Sequence, residues 1–432
     1  MIRLHLTLLL ALIQIVFTER MAVQLATGGR GMVMLANLID PWLTLGLVVI
    51  PFWSDIKQVL GTRVFRLYWL PFTACNLVLP VLAFLLNGYP ARGIFATWNA
   101  ILPICIMFVG IVGTFRGGAY QRTISNYFLL AILVQALLAM AQMAGSLGYM
   151  PGPLRVIYEW DLAVKVKFTG NNLIVGRSTG FYLNPNSLGV WGLLAFWISF
   201  FLLEGRKRTI GLVASFLTIL LCQSRGTLFA LLGSAATYGI ALTYRRGDRE
   251  DRKRILHLTG LLAAIAIVLI ATPEIGDSLH GLLLDVPIIG RAYERYLSGA
   301  MVFTQGASAD ANFNGRVSFW YEIFKYISTH PFGTLGQPEY KLGIPMDNQF
   351  VSAFAQGNLY YLGALLLLLF GGARLIGSSL NTSKLLATAS IAIAINGITA
   401  VPLSYPASYL YWAIVGVFLA EHVTRHSKEV HP

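Results

Sequence analysis

The chain has 432 residues, 56% of them hydrophobic and only 12% charged, with a mean hydropathy of +0.66. This lies outside the range of a soluble globular protein and describes a polytopic membrane protein. The formal charge of +13 would suit nucleic acid. The Lys and Arg residues, however, fall in short runs between apolar spans, as topology signals do, so nucleic acid is not an expected partner.

The expected fold class is an all-α polytopic membrane protein of about twelve transmembrane helices. In chain order the apolar runs are 4–18, 32–53, 64–86, 94–115, 123–147, 183–203, 209–223, 226–244, 255–273, 350–372, 384–403 and 405–421. The first run follows Met1-Ile2-Arg3 and resembles a signal peptide, but no small-x-small cleavage site precedes Glu19-Arg20, so it reads as an uncleaved span. The runs at 4–18 and 209–223 are shorter than the roughly 20 residues that cross a bilayer, and they are the first candidates for tilted or re-entrant elements. Cys75, Cys105 and Cys222 lie inside apolar stretches without the paired spacing of a metal site or disulfide framework.

Cytoplasmic loops are enriched in Lys and Arg, which orients the spans. Alternate loops carry Lys57, Arg63, Arg116 and Arg122, then Arg206-Lys207-Arg208, the run from Arg245 to Arg254, and Arg374, Lys384, Arg425 and Lys428. These belong in the cytoplasm with both termini. The opposite face, periplasmic in a bacterial inner membrane, receives 19–31, 87–93, 148–182, the 224–226 turn and the long segment 274–349. Three parts follow: 1–273 with helices one to nine, 274–349 as a long periplasmic loop, and 350–432 with the last three helices and a short cytoplasmic tail. Within the loop, Arg316 to Tyr326 predicts an amphipathic helix along the membrane–water boundary, with Phe319, Trp320, Ile323 and Phe324 grouped at helical spacing. His330-Pro331-Phe332-Gly333-Thr334-Leu335-Gly336 predicts a tight returning loop.

Four polar clusters fall on this one face. Arg177 to Asn186 leads into the sixth span, where Asn184 fits a helix cap with Pro185 at the first helical position. Arg177 either snorkels to headgroups or holds an anion against the positive-inside bias. In Ser224-Arg225-Gly226 a tight turn alone needs only the glycine, and a guanidinium at the hydrocarbon boundary is placed to grip a pyrophosphate in bidentate fashion. Arg316 opens the amphipathic helix, where the macrodipole disfavours a cation. Asp347 precedes the tenth span beside Asn348. It reads as an N-cap, as a general base kept ionised by nearby arginines, or as both. His330 could titrate usefully but more often such a histidine is a turn residue, and Asp40, inside the second span, should face the bundle interior. No sequence pattern calls for a metal or another cofactor.

At these residues the chain resembles the O-antigen ligase and O-antigen polymerase superfamily. The match rests on Arg177 with Gly180 and Asn184-Pro185-Asn186, on Ser224-Arg225-Gly226, on the long loop with Arg316 and Trp320, and on Asp347-Asn348 followed by Gly357 and Gly363. It covers about 170 to 370. The resemblance implies a metal-independent, inverting membrane glycosyltransferase that moves a glycan from undecaprenyl diphosphate to a hydroxyl acceptor. Arg225 and Arg316 would bind the leaving diphosphate, and Arg177, Asn184, Asn186, Asn348 and His330 are candidate substrate-binding residues. The ligase branch typically has His where this chain has Asp347, which tilts the expectation toward polymerising O-antigen, capsule or exopolysaccharide rather than ligation to lipid A-core. A chain-length regulator is a candidate partner. A flippase or transporter of lipid-linked glycan is the rival class, though such folds commonly carry internal repeats and midplane polar sites, and no repeat is visible here.

Overall fold

A computed structural model describes residues 45–87, 101–116, 121–169, 176–244, 260, 311–343 and 346–430. The expected span at 4–18, all but one residue of that at 255–273, and Asp40 lie outside the described residues. All repeating secondary structure among those described is helical. Four helices are long and apolar enough to cross a membrane, Ser125–Ser146, Pro185–Leu202, Arg225–Thr243 and Gln349–Gly377, and Leu70–Leu86 and Ile101–Arg116 are shorter apolar helices. The chain is therefore a helical membrane protein, and a count of twelve spans stays an expectation.

Helix α1 (Trp53–Leu60) and α2 (Arg63–Tyr68) precede α3 (Leu70–Asn87). The run expected as one span from 64 divides because Pro71 has no N–H for the ladder of the preceding turn. Next come α4 (Ile101–Arg116), α5 (Gln121–Ser146) and α6 (Gly152–Thr169). The last is a mostly exposed helix in what the hydropathy pattern reads as a loop. Then follow α7 (Pro185–Leu202), α8 (Gly205–Cys222), α9 (Arg225–Tyr244), α10 (Ala311–Thr329), the short α11 (Pro338–Leu342), α12 (Gln349–Ala373), α13 (Asn381–Asn396) and α14 (Tyr409–Val430).

The axis of the bundle is α7, buried over 89% of its length. It crosses α8 closely at Gly192, where an added methyl would stand 3.0 Å from Ile219 and 3.3 Å from the Ser215 carbonyl. On another side the Trp197 indole donates to Ser234 of α9 at 3.2 Å. The α4 and α14 helices meet through Gly110 and Gly416, each lying against the other helix's backbone, at Ala413 and Met107. Small residues are the usual means of bringing helix backbones together in lipid, where association gains little from apolar burial.

Polar contacts join the ends that charge bias places on one side. Arg116 forks onto Asp55 at 2.8 and 3.0 Å, Lys207 reaches Asn126, and Arg374 lies 4.4 Å over the Tyr68 ring. At the other end two irregular segments enter the fold. The run expected as a span over 384–403 ends as a helix at Asn396, and 3₁₀ turns at Pro402–Ser404 and Pro406–Ser408 carry the chain to α14. Gly397 follows the last helical residue, and both prolines lack a helical donor, which keeps a regular helix from resuming before α14. In α12 the ladder is broken at Gly357 and Asn358, the latter at φ 51. The freed carbonyls of Ala355 and Gln356 accept from Thr334 and Leu335 N–H, both at 2.8 Å, and Asn358 donates to the Pro331 carbonyl at 2.7 Å. Gly333 lies at φ +69 against the Ala355 carbonyl, a conformation and closeness that suit only glycine. The expected tight loop after His330 is thus docked on the broken helix.

Candidate functional site

The loop from Arg177 to Asn186 is hung on two amides of α5. Gln142 accepts from Thr179 N–H at 2.9 Å and Gly180 N–H at 2.8 Å, and donates to the Gly180 carbonyl at 3.0 Å and to Asp161 of α6 at 3.2 Å. Gln135 accepts from Phe181 N–H at 3.2 Å, and the Ser178 hydroxyl donates to the Ala139 carbonyl at 2.6 Å. Gln135 and Gln142 are buried. Their spacing of seven puts both on one helix face, and that spacing is the signal by which the sequence could have revealed them.

Arg177 points inward, not to headgroups. Its Nε donates to the Cys222 carbonyl at 3.0 Å, and its Nη2 to the Gln223 carbonyl and to Asn186 Oδ1, each at 3.3 Å. It therefore satisfies carbonyls that the end of α8 leaves open and opposes the negative end of that helix dipole. Asn184 is the N-cap of α7, accepting from Asn186 N–H at 2.8 Å with Pro185 behind it, as its sequence suggested.

The left-handed residue between α8 and α9 is Gln223 at φ 51, and Arg225 is already the first residue of α9. Gly226 is thus not needed for the turn. A methyl there would run into the Thr399 side chain. One residue later the Thr227 hydroxyl donates to Ser224 at 3.0 Å and accepts from buried Asn396 at 3.2 Å.

Arg316 does not open its helix. α10 begins at Ala311, placing Arg316 in the second turn, so the macrodipole argument loses force. The inward stripe is Arg316, Trp320, Ile323 and Ile327, while Phe319 and Phe324 are exposed. Arg316 Nε pairs with Asp347 Oδ2 at 2.5 Å, and Nη1 donates to the Thr399 carbonyl at 3.3 Å.

Asp347 does not cap α12. That role belongs to Asn348, whose Oδ1 accepts from Phe350 N–H at 2.9 Å and Val351 N–H at 3.0 Å while its Nδ2 donates to the Ile398 carbonyl at 2.9 Å. With the cap supplied next door, the half-buried Asp347 carboxylate is not held at the helix end and pairs with Arg316. Burial pushes its pKa above the ordinary value, and Arg316, the Trp320 side chain and its own backbone pull in the opposite direction. The net rise corrects the simpler expectation that neighbouring arginines alone set its state. Tyr405 closes the group: it bonds Asn186, and its hydroxyl feels the charges of both Arg316 and Asp347.

The 396–405 segment, which the sequence reading divided between two spans, is therefore the hub on which the four clusters meet. His330 does not join them. Its ring stacks on Tyr326 at 4.0 Å and bonds the Tyr326 carbonyl and the Thr329 hydroxyl. No group of three or more His, Cys, Asp or Glu able to hold a metal lies among the described residues.

The site is an arginine–carboxylate pair in a helical membrane bundle, set beside the irregular 396–405 segment. Residues 210–361 match the family model Wzy_C, O-antigen ligase, a stretch containing Arg225, Arg316 and Asp347. That match supports the O-antigen ligase and polymerase superfamily. No curated protein matches the chain.

Proposed function

We propose that the protein transfers a glycan from undecaprenyl diphosphate to a hydroxyl acceptor at the periplasmic face of the inner membrane, as a metal-independent inverting glycosyltransferase that polymerises repeat units of O-antigen, capsule or exopolysaccharide. The observation that carries this reading is the Arg316–Asp347 pair beside the Thr399 carbonyl, with Gly226, next to Arg225, packed on the same threonine.

In the reaction the acceptor hydroxyl oxygen attacks the anomeric carbon, the bond from that carbon to the carrier diphosphate breaks, and the diphosphate leaves with the electron pair. Asp347 takes the hydroxyl proton, and its raised pKa makes it a better base than an ordinary carboxylate. Arg316 uses Nε and one Nη1 hydrogen internally, which leaves donors of its five-donor fork for the phosphate oxygens. Arg225 adds a second guanidinium at the N-terminus of α9, where the dipole also favours an anion. Diphosphate binding to Arg316 loosens its hold on Asp347, so the base is released as the donor arrives. Arg177 and Asn184 act by shaping the loop that presents Asn186. The exposed Val317, Phe319, Tyr321 and Phe324 suit α10 to the membrane boundary above the carrier.

The description of the matched family favours a second reading, ligation of the glycan to lipid A-core. Incubating purified protein with its native undecaprenyl-diphosphate repeat unit and sizing the products separates the two. A ladder of longer lipid-linked chains establishes a polymerase. Absence of a ladder together with product on adding lipid A-core establishes a ligase, and absence of both points to transport.

A further inference from the structure

Beside the arginine–carboxylate pair lies a partly open cavity of ≈ 100 Å³ between α3, α4, α12, α14 and the 402–406 turn. It joins the site through Tyr405, which borders both, and through Gln349, which follows Asp347-Asn348 in the chain. Its described lining carries no ionisable acid or base of the Asp, Glu, His, Lys or Arg type, only hydroxyls, amides and aromatic or aliphatic groups. A diphosphate has no counter-charge there, and a lipid tail would strand the polar groups.

One of those groups is stranded already. Thr73 is 7% exposed, and its hydroxyl has no hydrogen-bond partner. A helical threonine ordinarily returns its hydroxyl to the carbonyl four residues back, as Thr114, Thr218, Thr237 and Thr388 all do in this protein. Thr73 lines the cavity with its hydroxyl oxygen buried and unpartnered behind the wall. Next to it the Tyr361 hydroxyl donates to Asn76 Oδ1 at 2.7 Å, and Asn76 Nδ2 donates to the Phe72 carbonyl at 3.0 Å, which fixes the amide in place. Phe72 stacks within 5.3 Å of Tyr361 and 6.1 Å of Trp412. Fixed hydroxyl and amide groups beside aromatic faces match the alternation of hydroxyls and C–H faces on a pyranose ring, and the space accommodates one sugar unit at most.

We propose that this cavity is the subsite for a neutral sugar residue, the terminal sugar of the acceptor glycan. The proposal rests on the transfer reaction above for the choice of acceptor over donor. The attacking hydroxyl must lie at Asp347, to which Tyr405 links the cavity, whereas the donor's diphosphate requires the arginines. Rotation of Thr73 about χ1 then turns its hydroxyl toward the bound sugar and sets which hydroxyl pattern the acceptor end must show.

The test uses full-length protein in lipid nanodiscs and a carrier-free neutral oligosaccharide that ends in the acceptor sugar and cannot act as donor. Its binding is followed by saturation-transfer NMR in the wild type, in Thr73→Val, which keeps shape, and in Thr73→Phe, which fills the space. Thermal unfolding checks that each variant is folded. KM is then measured separately for this acceptor and for the lipid-linked donor. The expected result is an acceptor Kd and KM raised roughly five-fold in Thr73→Val, the loss of one neutral hydrogen bond, with donor KM unchanged and glycan binding lost in Thr73→Phe. Unchanged acceptor binding in both variants, or a shift in donor KM instead, overturns the proposal. Thr73-dependent glycan binding by a wild type that transfers nothing would retain the sugar site and sink the reaction.

Discussion

Gly226 lies so close to the Thr399 side chain that any larger residue would overlap it, and the Thr399 carbonyl accepts from Arg316. The Ser224-Arg225-Gly226 start of α9 and the Arg316–Asp347 pair are thereby held to one residue of an irregular segment. Gly226→Ala should push the two apart while leaving both arginines in the chain. A misplacement of about 1 Å can lower activity on the order of 100-fold, so the variant should reach the membrane at normal levels and yield little product.

Arg225→Ala and Arg316→Ala each remove a cation that would stabilise the departing diphosphate. Loss of one preorganised donor of this kind costs about 10²–10³ in kcat. Both variants should therefore remain in the membrane fraction with product reduced by that order. Normal glycan chains from both would remove the diphosphate role.

Asp347→Asn and Asn348→Ala separate base from cap. Because Asn348 holds the N-terminus of α12, Asp347→Asn should leave unfolding almost unchanged and lower the rate by about 10²–10⁴. Asn348→Ala should cost about 1 kcal/mol of stability, read as a lower unfolding temperature. Full activity in Asp347→Asn would leave Asp347 as Arg316's partner alone.

The pH profile follows from the direction of the Asp347 shift. A base works only when deprotonated, and its folded pKa is raised, so activity should fall on acidification with a midpoint above the ordinary carboxylate value of about 3.9. Arg316 favours the ionised form, so Arg316→Gln should move the midpoint of its residual activity further up. A residual limb that stays in place would dissociate Asp347 from the acid side of the profile.

Gln142→Leu should unlatch the 177–186 loop. It would leave the Thr179 and Gly180 amides buried and unpaired, a cost of about 1–3 kcal/mol for each, seen as a lower unfolding temperature and faster proteolysis within the loop.

Hydropathy made most of the long helices legible because apolar length alone defines them, and α7, α9 and α12 begin and end close to the expected bounds. The same pattern missed α6, since a helix that is largely exposed on every side has no apolar run to display. It also missed the 396–405 hub, because prolines and a tyrosine among apolar residues do not lower mean hydropathy. At the site, residue types were readable and roles were not. Arg177 and Arg316 look alike in sequence, but one faces the carbonyls at a helix end and the other a carboxylate. Asp347 reads as the cap of the tenth span in the sequence, and the backbone gives that place to Asn348 instead. Thr73 was silent, because a threonine in an apolar helix is ordinarily satisfied by its own backbone.

The most direct measurement is release of undecaprenyl diphosphate from a carrier-labelled repeat unit incubated with excess purified protein, in the presence of acceptor, for a single turnover. The account predicts release by the wild type coupled to glycan transfer, and little or none from Asp347→Asn or Arg316→Ala at equal protein. A wild type that binds the lipid and leaves its diphosphate bond to the sugar intact would contradict it.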